Sequence, residues 1–242
     1  MRRARVNLAV NVAATPVRRK TNRPRTTRPE ATTRNASQTR ERILQSAVGE
    51  FAKKGYSGAR IDGICRAARA NPRMIYHYFG GKAALYLAVL EHVLGELRRE
   101  ELKLDVEHVA PFEGLMQLFD FIHDHFGAHP ELITLLMGEN LLRAQFLRRS
   151  RRTLIISSPV LGLITRLLGR GKADGVLREG IDPLQLYVMM VALSSYHRSN
   201  AHTLSVMFAR ELLDRGWQSE QKRHAREALA YFLRKASVMG NR

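Results

Sequence analysis

The chain has 242 residues, 45% of them hydrophobic, which is enough core for one large domain or two small ones. Its 40 Lys and Arg against 22 Asp and Glu give a net charge of +18, which points to a polyanionic partner, nucleic acid before anionic membrane. The single cysteine, Cys65, excludes an intrachain disulfide framework and suits a reducing, cytoplasmic setting, and no apolar run reaches the ~18 residues that a membrane span needs.

Residues 1–40 carry eleven basic residues and one acid, Glu30, so more than half of the excess charge sits at the start. Leu8 to Ala14 is broken by Asn11 and followed by Pro16 and Arg18, a poor secretion signal. Residues 1–36 are rich in Arg, Thr, Pro and Asn without a sustained period. They read as a disordered basic arm, because they hold too little apolar surface to offset the entropy of ordering. Extra phosphate contact, an unstructured leader and an organelle transit peptide all fit such a segment.

Helical periodicity starts at Ser37, where Ser37 or Thr39 can cap a helix. Ile43, Leu44, Ala47, Val48 and Phe51 form its apolar stripe and Gly55 stops it. Ile61, Ile64, Cys65 and Ala68 recur at helical spacing in a second, short helix. Asn71 followed by Pro72 is a start signal for a third, which runs to about Phe79 before Gly80 and Gly81. A fourth begins near Lys82 and continues to about 108 as a connector, with Leu85, Ala88, Val89, His92, Val93 and Leu97 on one face. Beyond Pro111, helices are predicted at 112–126, 130–149, 151–170, 183–200, 203–214 and 219–237. No period-two run, internal repeat or Gly-rich phosphate loop stands out. The expected fold is all-α: a three-helix unit with a helix-turn-helix at 37–82, then a larger helical bundle over 83–242.

Two short helices joined by a tight turn are the unit that lays its second helix in the major groove of DNA. Ile75 and Phe79 would anchor that helix to the core, leaving Arg73, Met74, Tyr76 and His77 outward. Tyr hydroxyls and His nitrogens can hydrogen-bond to phosphates and base edges, and their rings pack on sugars and thymine methyls. Three adjacent residues, Tyr76, His77 and Tyr78, suit a helix that faces DNA; packing of the small domain is the competing explanation, strongest for Tyr78.

Residues 39–90, "TRERILQSAVGEFAKKGYSGARIDGICRAARANPRMIYHYFGGKAALYLAVL", resemble the N-terminal domain of TetR-family transcriptional regulators. The resemblance covers Phe51, Gly55-Tyr56, Ile64, the Ile75 to Phe79 run, and Lys82 and Leu85 after the glycines. It implies a homodimer on a pseudo-palindromic double-stranded DNA operator, usually a repressor released by a small-molecule effector. It also implies roles. Tyr76 contacts backbone or bases, Lys82 takes a phosphate at its helix N-terminus, and Arg73, Met74 and His77 read sequence, Met74 through a thymine methyl. Tyr78 packs partly inward or on a phosphate, and Asn71 completes the set. The chain departs from the family where Ala59-Arg60 replaces a capping Thr with Ser or Thr, so Arg60 would take the phosphate contact. Arg69-Ala70 replaces Gly-Val in the turn, and Cys65 replaces Ala.

"HPELITLLMGENLL" (His129 to Leu142) and "GVLREGIDPLQLYVMMVALSSYH" (Gly175 to His197) resemble, more loosely, the C-terminal domain of one TetR subgroup. Helix 183–200 is apolar almost all round, and helix 219–237 has Ala225, Ala228, Leu229, Phe232, Leu233 and Ala236 on one stripe; paired with their mates they would form a four-helix dimer interface. Phe119, His123, Phe126, Asn140, Arg143, Ser194 and His197 are the candidate lining of an effector pocket. His125 and His129 stand at ligand spacing, but Gly127 and Pro130 interrupt their helix, so no metal is expected. The run Arg143 to Arg152 reads as a solvated basic face, with binding of an acidic ligand or a membrane as the alternative. No nucleophile–base pair, paired carboxylates or metal motif suggests an enzyme, and no cofactor or membrane partner is expected. The expected function is a ligand-released repressor; a constitutive or nucleoid-type DNA binder driven by the arm is the alternative.

Overall fold

The computed structural model describes residues 29–106 and 108–235, so residues 1–28 of the expected basic arm, and Ala236, lie outside the described residues. Helix α1 runs Pro29–Gly58, starting upstream of the expected Ser37. Pro29 stands at the first helical position, where its fixed φ favours that start. Neither Ser37 nor Thr39 is a cap; Thr39 Oγ1 donates to the Asn35 carbonyl (2.8 Å) from within the helix. The Ile43 to Phe51 stripe is buried, and Gly55 breaks the helix geometry at φ 66°, leaving one further turn to Gly58.

Helix α2 (Ile61–Ala68) buries Ile64, Cys65 and Ala68. Its N-terminus has no side-chain cap at Arg60; instead the Glu50 carboxylate accepts the Arg60 N–H (3.1 Å). Burial pushes the Cys65 thiol pKa up, as suits a packed small side chain. Arg69 closes α2 in the left-handed region (φ 50°, ψ 46°), and the next N–H, Ala70, bonds the Cys65 carbonyl (2.9 Å). A side chain there costs about 1 kcal/mol. Arg69→Gly is therefore expected to raise stability by up to about 1 kcal/mol in a urea titration; an unchanged midpoint would mean the turn carries no such strain.

Helix α3 (Pro72–Phe79) follows, capped by Asn71, whose side chain accepts the Met74 N–H (3.1 Å). Gly80 (φ 83°) and Gly81 (φ 132°) turn the chain into α4 (Lys82–Glu101). The connector expected to reach 108 ends at Glu101 because Val106 leaves the helix to bury itself over Gly114. A Cβ on Gly114 would sit 3.0 Å from the Val106 carbonyl and 3.1 Å from Leu167, so a side chain there would push this approach apart by a few tenths of an ångström. Near its end α4 is tied to the bundle by a buried group: Arg98 donates to Glu101, its guanidinium lies 4.6 Å over the Tyr187 ring, and the Tyr187 hydroxyl donates to Glu101 (3.4 Å).

The bundle holds α5 (Pro111–Ala128), α6 (Pro130–Leu141), a short 3-10 turn (Leu147–Arg149), α7 (Arg151–Ala173), α8 (Pro183–Ser199), α9 (Ala201–Met207) and α10 (Arg215–Leu233). Helix α5 packs against α7, α8 and α10, and α1 packs against α6, so the two parts of the chain share a seam. The helix expected over 130–149 stops at Leu141. Arg143 (φ 54°) and Ala144 (φ 57°) are left-handed, and the buried Glu139 carboxylate accepts the N–H groups of Phe146 (2.8 Å) and Leu147 (3.0 Å). That turn drives Phe146 into the seam, 4.5 Å from the Tyr56 ring and 4.9 Å from Tyr86. Likewise α9 ends at Met207, not 214, where Ala209 turns left-handed and the Ser205 hydroxyl accepts the Leu212 N–H (3.0 Å).

Of the α10 stripe expected to meet a partner, Ala225, Leu229 and Leu233 are buried in their own chain, Phe232 is half-buried and Ala228 is exposed. The outward apolar stripe lies on α8, at Leu184, Val188 and Tyr196, with Tyr231 of α10 also exposed. Among the described residues no helix is long and apolar enough to cross a membrane.

Candidate nucleic-acid interface

Helix α3 turns by about 100° per residue, so one buried anchor fixes what the others face. Ile75 is fully buried, which leaves Arg73, Tyr76 and His77 exposed. Tyr76 is 61% exposed, and its ring lies against Gly81, where an added Cβ would sit 3.6 Å from it. Tyr78 and Phe79 are half-buried, as expected for the inward edge of the cluster. Met74 departs from its expected outward position: it borders the anchored stripe and is half-buried against the core. Arg40 covers the Phe79 ring at 4.9 Å, and the His77 and Tyr78 rings meet edge to face at 4.9 Å.

Lys82 stands at the N-terminus of α4, next to this surface. Its ammonium lies 5.0 Å over the Tyr56 ring and donates to the Ser57 carbonyl (3.3 Å). Partial burial first, and the charge of Arg60 second, lower its pKa. Two cations are thus held near each other at the helix start. The Glu50 carboxylate beside them is already engaged by Lys54 (2.8 Å) and by the Arg60 N–H, and its pKa is lowered by those bonds. A phosphate oxygen placed there would relieve the crowding and meet the α4 N–H groups.

The bundle gathers part of the expected effector lining. Phe119, His123, Phe126, Ser194 and His197 are all buried. The His123 ring lies 6.1 Å from Phe119 and stacks on His197 (5.6 Å, 18°), which in turn lies 5.9 Å from Trp217. Asn140 and Arg143 do not join them. Asn140 is on the solvent face of α6, opposite Leu132 and Leu135, and Arg143 is exposed in the left-handed turn. The sequence reading missed Gln218 and Gln221, which a 3.6-residue count from Leu229 and Ala225 places on the inner edge of α10. Each glutamine donates its amide to a backbone carbonyl, of Leu212 and Leu193, so each side-chain oxygen is left to accept from a histidine: Gln221 faces His123 Nε2 (3.3 Å) and Gln218 faces His197 Nε2 (3.0 Å). Both histidines are thereby set to donate from Nε2, and among the described residues the buried Nδ1 of His123 has no hydrogen-bond partner, with Asp124 Oδ1 3.8 Å away.

Burial first, then Arg198, push the His197 pKa down to about 4. A depressed histidine leaves the folded state neutral while the unfolded chain takes up a proton near its ordinary value. Stability is thus intact above pH ~6.5 and is lost progressively as the pH falls towards 4. The expected loss is on the order of 3 kcal/mol, and His123, whose pKa is lowered in the same direction, adds to it. Urea midpoints at pH 7.5 and pH 5 check this: His197→Gln should flatten the difference, and an equal acid sensitivity in the variant would place it elsewhere.

A groove between α4 and α5 of about 490 Å³ is separate from these buried rings. It is lined by Glu96, Arg99, Glu100, Phe121, Asp124, His125 and His129. His125 and His129 face each other at 4.3 Å, and His129 pairs with Glu131 (3.1 Å).

A sequence model described as "Bacterial regulatory proteins, tetR family" matches residues 43–89, and one described as "Tetracyclin repressor-like, C-terminal domain" matches residues 111–229. The chain is 37% identical over 180 residues to the HTH-type transcriptional repressor NicS of Pseudomonas putida, covering 74% of this chain and 85% of that one. It is 31% identical over 165 residues to the HTH-type transcriptional repressor SCO4008 of Streptomyces coelicolor, covering 67% and 80%. Its fold is similar to the crystal structures of SCO4942 from Streptomyces coelicolor (TM-score 0.62, 24% identity, 81% and 98% covered) and of a TetR transcriptional regulator from Chloroflexus aurantiacus (TM-score 0.60, 22% identity, 84% and 100% covered).

Proposed function

The chain belongs to the TetR family of bacterial transcriptional regulators, and on that premise we propose that it is a homodimeric repressor that reads a pseudo-palindromic operator with α3 and leaves it when a small molecule enters the bundle. The observation that carries the DNA half is the anchoring of Ile75, with Tyr76, His77 and Arg73 outward beside the Arg60–Lys82 cation pair. Residues 37–82 act as the DNA-binding unit and 83–242 as the regulatory one. Arg60, Asn71, Lys82 and Tyr78 serve the backbone contacts, while Arg73, Tyr76 and His77 serve the bases, with Met74 at the edge. The exposed Leu184, Val188 and Tyr196 stripe of α8 supports dimerisation through that helix, with the outer face of α10 beside it. Both relatives named above are HTH-type transcriptional repressors, which supports repression over activation and regulation over catalysis.

The effector half rests on the stacked His123 and His197. A buried, unpaired Nδ1 lone pair favours a small neutral molecule with an O–H or N–H donor, which would satisfy it. Such a ligand would act by favouring a separation of the two α3 helices unlike the ~34–36 Å between successive major grooves. Selection of bound DNA from a random duplex pool at ~150 mM salt tests the reading, with the full chain and a version that starts at Ser37. A shared inverted repeat in both pools supports it. Binding by the full chain alone, without a motif, would instead favour a constitutive binder driven by the basic arm.

A further inference from the structure

The α6–α7 turn is strongly basic and is not used by the reading above. Between Glu139 and Asp174 the chain has no acid, and Arg143, Arg148, Arg149, Arg151 and Arg152 fall within ten residues. All five are exposed. Among the described residues none of Arg143, Arg148, Arg151 and Arg152 has a carboxylate partner, and Arg149 only rests 5.9 Å over the Phe146 ring. A solvated basic face usually lies on a free helix surface. This one is held by the buried Glu139 carboxylate, which fixes the N–H groups of Phe146 and Leu147 and bends Arg143 and Ala144 into the left-handed region.

The turn also has a defined position. Phe146 meets the Tyr56 ring at a tilt, 4.5 Å between centres, and Tyr56 is the ring on which the Lys82 ammonium rests at 5.0 Å. Two aromatic rings, Phe146 and Tyr56, therefore separate the arginines from the lysine at the start of α4, and α1 exposes Lys53 and Lys54 just before Tyr56. We propose that this turn is a second DNA contact, in which Arg148 and Arg149, with Arg143 beside them, hold a backbone phosphate outside the base pairs that α3 reads. Duplex DNA suits the patch better than an acidic protein would, because a phosphate at Lys82 puts the next phosphates of the same strand within a short step along a regularly spaced array. A turn fixed by Glu139 loses little further freedom on binding, which favours a contact of this kind.

The inference rests on the operator reading, and the experiment separates the two. Full-length wild type and the double variant Arg148→Gln, Arg149→Gln are titrated with the selected operator, once with ~10 extra base pairs on each side and once trimmed to the repeat. In the variant, the slope of log K against log salt should shrink by about 0.9 for each phosphate that the protein no longer neutralises, and affinity for the long duplex should drop roughly 10-fold at ~150 mM salt. Wild type should lose the same affinity on the trimmed duplex, while the variant should not notice the trimming. The selected motif should be the same for both proteins. Equal slopes and equal flank dependence would overturn the proposal while leaving the operator reading intact. So would loss of binding to phosphatidylserine vesicles in the variant with DNA binding unchanged, which would assign the patch to a membrane surface. A wild type that selects no inverted repeat removes the operator reading and this inference with it.

Discussion

Tyr76→Ala is expected to weaken operator binding roughly 10–100-fold without changing the unfolding transition, and Lys82→Gln to do the same by a different route. Tyr76 is 61% exposed and supports nothing in the core except its own contact with Gly81, so truncation removes a DNA contact and little packing. Its loss should cost about 1–3 kcal/mol of binding, and Tyr76→Phe should fall between the two, because the ring stays on Gly81 while the hydroxyl goes. On the proposed reading Lys82 reaches a phosphate, which carries no sequence information. Lys82→Gln should therefore weaken every duplex alike and lower the salt slope by about 1, and Lys82→Arg should keep the slope. His77→Ala should leave the salt slope unchanged and relax preference at one base position. Binding isotherms over a salt series, against the operator and single-base variants of it, separate these outcomes. If Tyr76→Ala and Lys82→Gln both bound as tightly as wild type, α3 would not be the reading helix.

Much of this surface was legible before any coordinates. The Asn71-Pro72 start, the glycine pair at 80–81 and the apolar stripes of α1 and α2 are local signals, and each is where periodicity and capping place it. The outward direction of Tyr76 and His77 follows once Ile75 is taken as the anchor. Even the left-handed Arg69 was foreshadowed by an arginine standing where relatives of this kind place glycine.

What stayed hidden depends on contacts between distant parts of the chain. Helical spacing continues unbroken from Pro130 through Arg149, and nothing in that window announces that Glu139 will turn inward to bond the two N–H groups that end the run. Val106 leaves α4 to meet a glycine eight residues later. A periodic stripe also does not say which neighbour buries it: Ala225, Leu229 and Leu233 fit a partner or their own core equally well on spacing, and the fold puts them in the core. Arg143 illustrates the same limit. As a helical residue it would fall on the buried face of Leu132 and Glu139, but the left-handed turn points it to solvent with the other arginines.

That turn leads to the second large effect, at Phe146. The side chain is 4% exposed and stands between Tyr56 of α1 and Tyr86 of α4, with Tyr86 also meeting Phe51 edge to face at 4.9 Å. Phe146→Ala is expected to cost roughly 3–5 kcal/mol, since the cavity it leaves is walled by rings that belong to different helices. The loss falls on the seam between the parts of the chain, so it should also change the form of the transition. Trp217, the single tryptophan, reports the bundle, while far-UV circular dichroism reports every helix. In wild type the two urea curves should coincide; in Phe146→Ala the dichroism should begin to fall before the fluorescence, as α1 to α3 lose their support. Glu139→Ala should do the same more weakly, because it leaves the N–H groups of Phe146 and Leu147 without their acceptor, whereas Glu139→Gln keeps an oxygen there and should stay close to wild type. The same contact joins the effector bundle to Lys82 through Tyr56. A Phe146→Ala protein that still folds at low urea should therefore bind its operator through an intact α3 but respond less to whatever molecule fills the His123–His197 site. Coincident curves, shifted together by less than about 1 kcal/mol, would mean that the seam is held elsewhere and that Phe146 is no link between DNA and effector.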